Sequence, residues 1–142
     1  MMKFSITAAY LAAAFTGAVC AGNAFGAAHS SDSVKAHDQD VSNGIISAKE
    51  VVASQNGWLV VHKTDGTKPG PVVGHAPLRA GMNMDVAAIL TEPASPGDKF
   101  MLMIHSEAGG TQTGIFEYTL GAKEDGPIKP GGKLVMKIVT AK

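Results

Sequence analysis

The sequence predicts an all-β protein, folded as one antiparallel sandwich of about seven short strands. Most apolar runs alternate apolar and polar residues, which is the period of a half-buried strand and not of a helix. Turn-forming segments such as TDGTKPGP, PASPGD and GAKEDGPIKPGG separate these runs. The one stretch with helical character, 85–90, is flanked too closely by glycine and proline to form a helix of ordinary length.

Seven segments carry the strand pattern, and each ends at a turn signal. In chain order they are 44–54, 57–63, 72–75, 82–92, 99–107, 115–120 and 133–141. The segment 115–120 is interpreted as a strand because Phe116, Tyr118 and Leu120 alternate with polar Glu117. The order and spacing of these segments favour antiparallel pairing through short turns.

Methionine is an important core residue in this interpretation, because the chain has few aromatic side chains. Met82 and Met84 share a side with Val86, Ala88 and Leu90, so we expect both methionines to face the core. In the last strand, Met136 alternates with Lys137 and is expected to be buried for the same reason.

The strand KFMLMIHSE, residues 99–107, is apolar on both faces. We expect Phe100, Leu102 and Ile104 to face the core, since they form the more regular apolar stripe. Met101, Met103 and His105 then lie on the other face. The simplest interpretation is that another part of the chain covers this outer face, with the methionines packed under a loop and His105 holding that loop.

The N-terminus has the pattern of a secretory signal peptide. Residues 1–28 contain an early Lys3, an apolar run from Phe4 to Cys20, and several small residues suited to cleavage. The sequence therefore predicts a periplasmic or extracellular protein. Cys20 is the only cysteine and lies within the leader, so the mature chain would have no disulfide, catalytic thiolate or thiolate metal ligand.

The rest of the chain divides into two regions. Residues 29–43 are polar and without period, and they are expected to form a flexible arm. Residues 44–142 then form the sandwich, about 100 residues long, which is the size of one small domain.

Charge and motifs exclude several classes of protein. Twelve basic residues balance twelve acidic ones, so there is no basic stripe to follow a nucleic-acid backbone. The hydrolase, zinc-protease and phosphate-binding motifs are absent from the sequence. We therefore expect a protein that is not an enzyme, does not bind nucleic acid and is not inserted in a membrane after signal removal.

Several motifs in one order resemble a family of secreted domains of unknown function. The motifs are GWLVVHK, GPVVGHAPLRAG, DVAAILTEP, KFMLMIHSEAGG and GIFEYTL followed by EDGPI. The family is common in haloarchaeal surface proteins and occurs in bacterial periplasmic proteins. The resemblance implies an immunoglobulin-like sandwich without known activity. His62 and His105 fall at the two histidine positions of the family, and Glu107 stands near the place where it often has aspartate.

Two functional interpretations remain open. In the first, the protein is a non-catalytic binding or structural module for a protein, a cell-surface polymer or a second copy of itself. Contacts are then expected at the loops GHAPLRAG (74–81) and EAGGTQTG (107–114), because function in sandwiches usually lies in the loops at their ends.

In the second interpretation, the protein binds copper. His62 and His105 end two strands that would be neighbours, with His75 and Glu107 as further candidate ligands. Imidazoles with a carboxylate suit zinc or copper(II), whereas the thioethers of Met101 and Met103 suit copper(I). The predicted copper ligands are His62, Met101, Met103 and His105. The alternative role for each histidine is a hydrogen bond from its ring to a loop carbonyl.

Overall fold

The structure is a computed structural model that describes residues 31–142. The predicted signal peptide, 1–28, and the first two residues of the predicted arm lie outside the described residues. Within the described part, no helix is long and apolar enough to cross a membrane.

The described chain forms seven β-strands and one short 3-10 turn, Pro130–Gly132. The strands are β1 (Ser33–Lys35), β2 (Ile45–Ala53), β3 (Gly57–Thr64), β4 (Pro69–Leu78), β5 (Gly81–Ile89), β6 (Lys99–Ser106) and β7 (Met136–Thr140). One sheet has the order β1-β2-β5 and the other β4-β3-β6-β7, with antiparallel pairing throughout. The predicted all-β antiparallel fold is confirmed.

The main core lies between the two sheets, and the predicted inner face of β6 contributes to it. Phe100, Leu102 and Ile104 are all buried there, as expected. Leu59 and Val61 from the neighbouring β3 are fully buried beside them. The alternation in this pair of strands thus predicts the core-facing side correctly.

A second apolar cluster lies on the opposite face of the four-stranded sheet. Its buried members are Trp58, Val60, Met101 and Met103. Residues 107–135, which we call the cover loop, run over this face and contribute Phe116 and Leu134 to the cluster. The predicted covering of the outer face of β6 is therefore confirmed, and it explains why that strand is apolar on both sides.

The predicted strand 115–120 is wrong, because these residues belong to the cover loop and form no strand. The backbone N–H of Glu117 donates to the carboxylate of Asp125 instead of to a neighbouring strand. Gly114 and Gly121 have φ of +81° and +85°, so the chain turns at both ends of the segment. Tyr118 is buried, whereas Leu120 is 55% exposed.

The predicted burial of Met82 and Met84 is also wrong. They are 61% and 52% exposed, whereas Ala88 and Leu90 on the same strand pattern are buried. Asp85 lies between the two pairs with φ of +49°, a left-handed conformation that interrupts the alternation of the strand. After Asp85, the residues predicted to face the core do so. Before Asp85, the residues predicted to face the core point to solvent.

Met136 is 38% exposed, so its predicted core position is wrong as well. It lies at the beginning of β7, which is the edge strand of its sheet. Packing from one side alone leaves the side chain partly in solvent, although Val139 on the same strand is fully buried.

The inverted face of β5 can be tested with Met84→Gln. We expect the free energy of unfolding to change by less than about 0.5 kcal/mol, because an exposed side chain away from special contacts contributes little. Ile46→Val, a buried change on the neighbouring β2, is the control and should cost about 0.5–1.5 kcal/mol. Denaturant unfolding measures both, and a larger loss for Met84→Gln than for Ile46→Val would place Met84 in the core.

The predicted flexible arm is wrong for residues 31–43, which are part of the sandwich. β1 pairs with β2 through the register Ser33↔Val52 to Lys35↔Glu50. Ala36 and Val41 are each 2% exposed and belong to the main core. Asp38 and Gln39 in the same segment accept hydrogen bonds from the backbone of Thr140 and Ser47. The described domain therefore begins well before the predicted boundary at 44.

Candidate metal centre

Two buried histidines lie on the face of the sheet that the cover loop encloses. His62 is on β3 and His105 on β6, and both have an exposed fraction of 0%. In the register of the two strands, His62 is opposite Met101 and His105 is opposite Trp58. On this face of the sheet, the pair Val60↔Met103 lies between the pair that contains His62 and the pair that contains His105. The two imidazole rings lean toward each other, and their centroids are 5.5 Å apart.

Each imidazole is fixed by one backbone carbonyl. The Nδ1 of His62 is 2.7 Å from the oxygen of Gly70, and the Nδ1 of His105 is 2.7 Å from the oxygen of Asp125. A carbonyl oxygen can only accept a hydrogen bond, so both Nδ1 atoms carry a hydrogen and donate it. In the neutral rings both Nε2 atoms are then left with an unprotonated lone pair.

The two Nε2 atoms face each other at 3.4 Å. Two lone pairs cannot form a hydrogen bond, so this contact is favourable only if a cation, either a proton or a metal ion, joins the two nitrogens. Burial lowers the pKa of His62, and burial lowers the pKa of His105 to about 4, with the charge of His62 as a smaller cause. Both rings are therefore neutral near pH 7, which disfavours the proton.

The geometry matches two imidazole ligands of one metal ion. Metal–nitrogen bonds of about 2.0–2.1 Å at angles of about 109–120° place two nitrogens about 3.3–3.6 Å apart. In metal sites the ring nitrogen that does not bind the metal usually donates to a carbonyl or carboxylate, which sets the tautomer and the ring orientation. Gly70 and Asp125 supply such carbonyls to His62 and His105.

The remaining candidate ligands are thioethers. Met101 and Met103 are each 1% exposed and lie on the same face as the two histidines. Met103 belongs to the residue pair that lies between the two histidines, whereas Met101 lies directly beside His62. Within 31–142 no group of three or more His, Cys, Asp and Glu residues could hold a metal ion. An ion at this place would have two imidazole ligands, and the other soft ligand type on this face is thioether sulfur, a combination that suits copper(I).

Tyr118 of the cover loop closes the site above the rings. Its ring centroid is 4.5 Å from that of His105 and 5.9 Å from that of His62, and it stands nearly perpendicular to both. The phenol oxygen accepts a hydrogen bond from the backbone of Gly121. The histidine pair is thus enclosed by an aromatic ring and has no direct contact with solvent.

Asp125 holds the cover loop over the histidine pair. It is 1% exposed, and its carboxylate accepts hydrogen bonds from the backbone N–H groups of Ala108 at 3.1 Å and Glu117 at 2.8 Å. Its φ of +45° points its carbonyl at His105 while its own N–H donates to Ala108. The sequence interpretation did not assign it a role, although the turn signal EDGPI marked its position.

The other two predicted ligands do not join the pair. His75 is exposed, and its ring stacks on Phe116 at a centroid distance of 4.4 Å. One oxygen of Glu107 accepts a hydrogen bond from the N–H of Gly114 in the cover loop. The structure therefore brings His62 and His105 together, with Met101 and Met103 on the same face.

The chain matches a family model over most of its length. The model of a family described as a domain of unknown function, DUF7282, matches residues 32–142. This range includes β1, in agreement with a domain that begins before residue 44. No curated protein and no solved structure matches the chain.

Proposed function

We propose that this chain, which belongs to the DUF7282 family of domains of unknown function, is an exported, non-catalytic module that holds copper(I) between His62 and His105. The ion would lie beneath the cover loop, with Met103 as a third ligand. The N-terminal leader pattern supports export to the periplasm or the outside of the cell. The balanced charge favours a protein or cell-surface polymer as a partner over nucleic acid.

One observation carries the proposal: the two Nε2 atoms are 3.4 Å apart while both Nδ1 atoms are bound to carbonyls. No tautomer of two neutral rings satisfies all three contacts, because each carbonyl requires a donor and the central contact then has none. A monovalent soft cation satisfies the central contact and leaves the two carbonyl bonds intact. The apolar surroundings also favour an ion of low charge over a divalent one.

The choice of copper(I) follows from the ligand types. Thioether sulfur is a soft ligand that binds copper(I) well, whereas calcium and magnesium require oxygen ligands. Zinc sites are usually completed by thiolate, imidazole or carboxylate, and no third ligand of these types lies with the pair in residues 31–142. Methionine and histidine together therefore select copper(I).

The test is competition for copper(I) with the chromogenic chelator bicinchoninate, under anaerobic reducing conditions. We expect wild type to remove one copper per chain from the chelator. His62→Gln and His105→Gln should each lower the affinity by more than the roughly 10–100-fold that losing an outer-shell partner costs, because each removes a nitrogen ligand itself. The control is His37→Gln, which removes an exposed histidine outside the site.

The two methionines form a second matched pair for the same experiment. Met103→Leu should lower the copper(I) affinity, whereas Met101→Leu should leave it close to that of wild type, because only Met103 lies between the histidines. Both variants conserve volume and should cost less than about 1.5 kcal/mol of stability.

Two results would contradict the proposal. The first is a wild-type protein that leaves all copper with the chelator, and the second is histidine variants that bind as tightly as wild type. A metal-free pair with an Nε2–H signal in nitrogen-15 NMR would show that a shared proton occupies the place of the ion.

A further inference from the structure

A pocket of about 450 Å³ opens at one end of the sandwich, and neither His62 nor His105 lines it. It lies where the β2–β3 turn, the β4–β5 turn and the beginning of the cover loop meet. Two of these segments, 74–81 and 107–114, are the loops in which the sequence predicts contacts. Its size is within the range of about 300–1,000 Å³ that small-molecule sites occupy.

Trp58 lines this pocket and carries an unpaired donor. The residue is 7% exposed, and its Nε1–H is the only buried side-chain polar atom of residues 31–142 without a hydrogen-bond partner. A buried N–H without a partner costs about 1–3 kcal/mol. The indole lies edge-on to the rings of His75 and Phe116, at centroid distances of 5.6 Å and 5.5 Å. The Nε1–H is therefore covered by the protein, and the indole contributes an apolar surface to the pocket wall.

Arg79 supplies a donor group at the pocket. No carboxylate lies within ion-pair distance of its guanidinium in the described residues. The side chain of Asn83 accepts from the N–H of Arg79 at 3.1 Å and donates to its carbonyl at 2.8 Å, which fixes the backbone of the turn. The backbone of Arg79 is thus fixed at the rim of the pocket, and its guanidinium forms no ion pair within residues 31–142.

The polar groups of the pocket favour a ligand rich in acceptors. Arg79 has no ion-pair partner within residues 31–142, and Thr113 adds a hydroxyl. The only acidic side chain in the lining is Glu107, and one of its oxygens is already occupied by the N–H of Gly114. Pro77 and Leu78 give the wall an apolar surface beside these donors.

We infer that the pocket binds a small organic carboxylate with an apolar body. The carboxylate accepts hydrogen bonds from the guanidinium of Arg79, and the apolar body packs against Trp58, Pro77 and Leu78. Arginine is well suited to this role, because its planar fork matches the two oxygens of a carboxylate. None of the predicted copper ligands lines this pocket, although Trp58 belongs to the same apolar cluster as Met101 and Met103.

The experiment is a titration with 3-phenylpropionate, read by the fluorescence of Trp58, which is the only tryptophan in the chain. The uncharged 3-phenylpropan-1-ol has the same apolar body and serves as the ligand control. We expect a saturable change with the acid in the millimolar range or below, and a much weaker response to the alcohol.

Variants at the rim give opposite expected signs. Arg79→Gln should weaken binding of the acid about 10-fold or more, because it removes a charge-assisted hydrogen bond. Glu107→Gln should strengthen binding, because it removes a negative charge near the ligand carboxylate. Lys49→Gln removes a cation on the other sheet and should change nothing. Equal binding of acid and alcohol, an unchanged affinity in Arg79→Gln, or no saturation by the acid would overturn the inference.

Discussion

A chain that begins at Gly44 is expected to be unfolded, or to lose at least about 5 kcal/mol of its free energy of unfolding, compared with a chain that begins at Ser31. The deletion removes β1 and with it one of the three strands of the smaller sheet. It also removes Ala36 and Val41 from the main core. Burying one aliphatic side chain of the size of valine contributes about 1.5–3 kcal/mol, so these losses alone are a large fraction of the stability of a small domain.

Polar contacts of the same segment increase the expected loss. The carboxylate of Asp38 accepts from the N–H of Thr140 at 2.9 Å, at the end of the chain. The side-chain amide of Gln39 accepts from the N–H of Ser47 at 2.9 Å and donates to its carbonyl at 2.8 Å. The segment therefore joins β2 to the last strand, and its removal exposes backbone groups of both.

Circular dichroism and denaturant unfolding of the two chains measure this effect. Asp38→Ala in the longer chain is the intermediate case, because it removes one hydrogen bond and leaves the strand in place. A chain from Gly44 that unfolds at the same denaturant concentration as the longer chain would show that residues 31–43 are dispensable, as a flexible arm would be.

Regular alternation was the part of the fold that could be predicted from the sequence. Phe100, Leu102 and Ile104 are separated by a strict period of two, and this period is enough to identify the core face of β6. The observation that β6 is apolar on both sides also predicts that its outer face is covered. Both inferences depend only on the residues of one strand.

Local backbone conformation explains two of the wrong predictions, the core face at the beginning of β5 and the strand 115–120. Asp85 has positive φ, and nothing in its neighbours distinguishes it from an ordinary strand residue before the structure is known. The segment 115–120 has the alternation of a strand, but its backbone hydrogen bonds go to a side chain and to turns within the cover loop. Periodicity reports which side chains are apolar and not where the backbone groups find partners.

The side chains of the candidate site could be predicted from the sequence, whereas the backbone carbonyls that hydrogen-bond to the two histidines could not. His62, His105, Met101 and Met103 are recognisable because imidazoles and thioethers on neighbouring strands are metal ligands by type. The carbonyls of Gly70 and Asp125, which determine the tautomers, are backbone groups 8 and 20 residues from their histidines, and no residue type marks such a carbonyl in the sequence. A copper role for these residues stays a prediction.

Asp125→Ala is expected to cost about 3–5 kcal/mol, because it orphans two backbone donors at about 1–3 kcal/mol each and adds backbone strain. The change removes both acceptors of the buried carboxylate and leaves the N–H groups of Ala108 and Glu117 without partners. It also places alanine at φ of +45°, where a residue with a Cβ is strained by about 1–2 kcal/mol and asparagine or aspartate is better tolerated. The cover loop would then detach from β6.

Asp125→Asn separates the two causes. Asparagine tolerates the left-handed conformation and keeps one acceptor oxygen, but its NH₂ group faces one of the two N–H donors. We therefore expect a loss smaller than that of Asp125→Ala, with the backbone contact to His105 retained. Denaturant unfolding gives the stability of each variant, and hydrogen exchange of the amides of Ala108 and Glu117 reports whether the cover loop is closed. If Asp125→Ala keeps these amides as protected as in wild type, the carboxylate does not hold the cover loop, and the enclosure of the histidine pair must depend on the packing of Phe116 and Tyr118 instead.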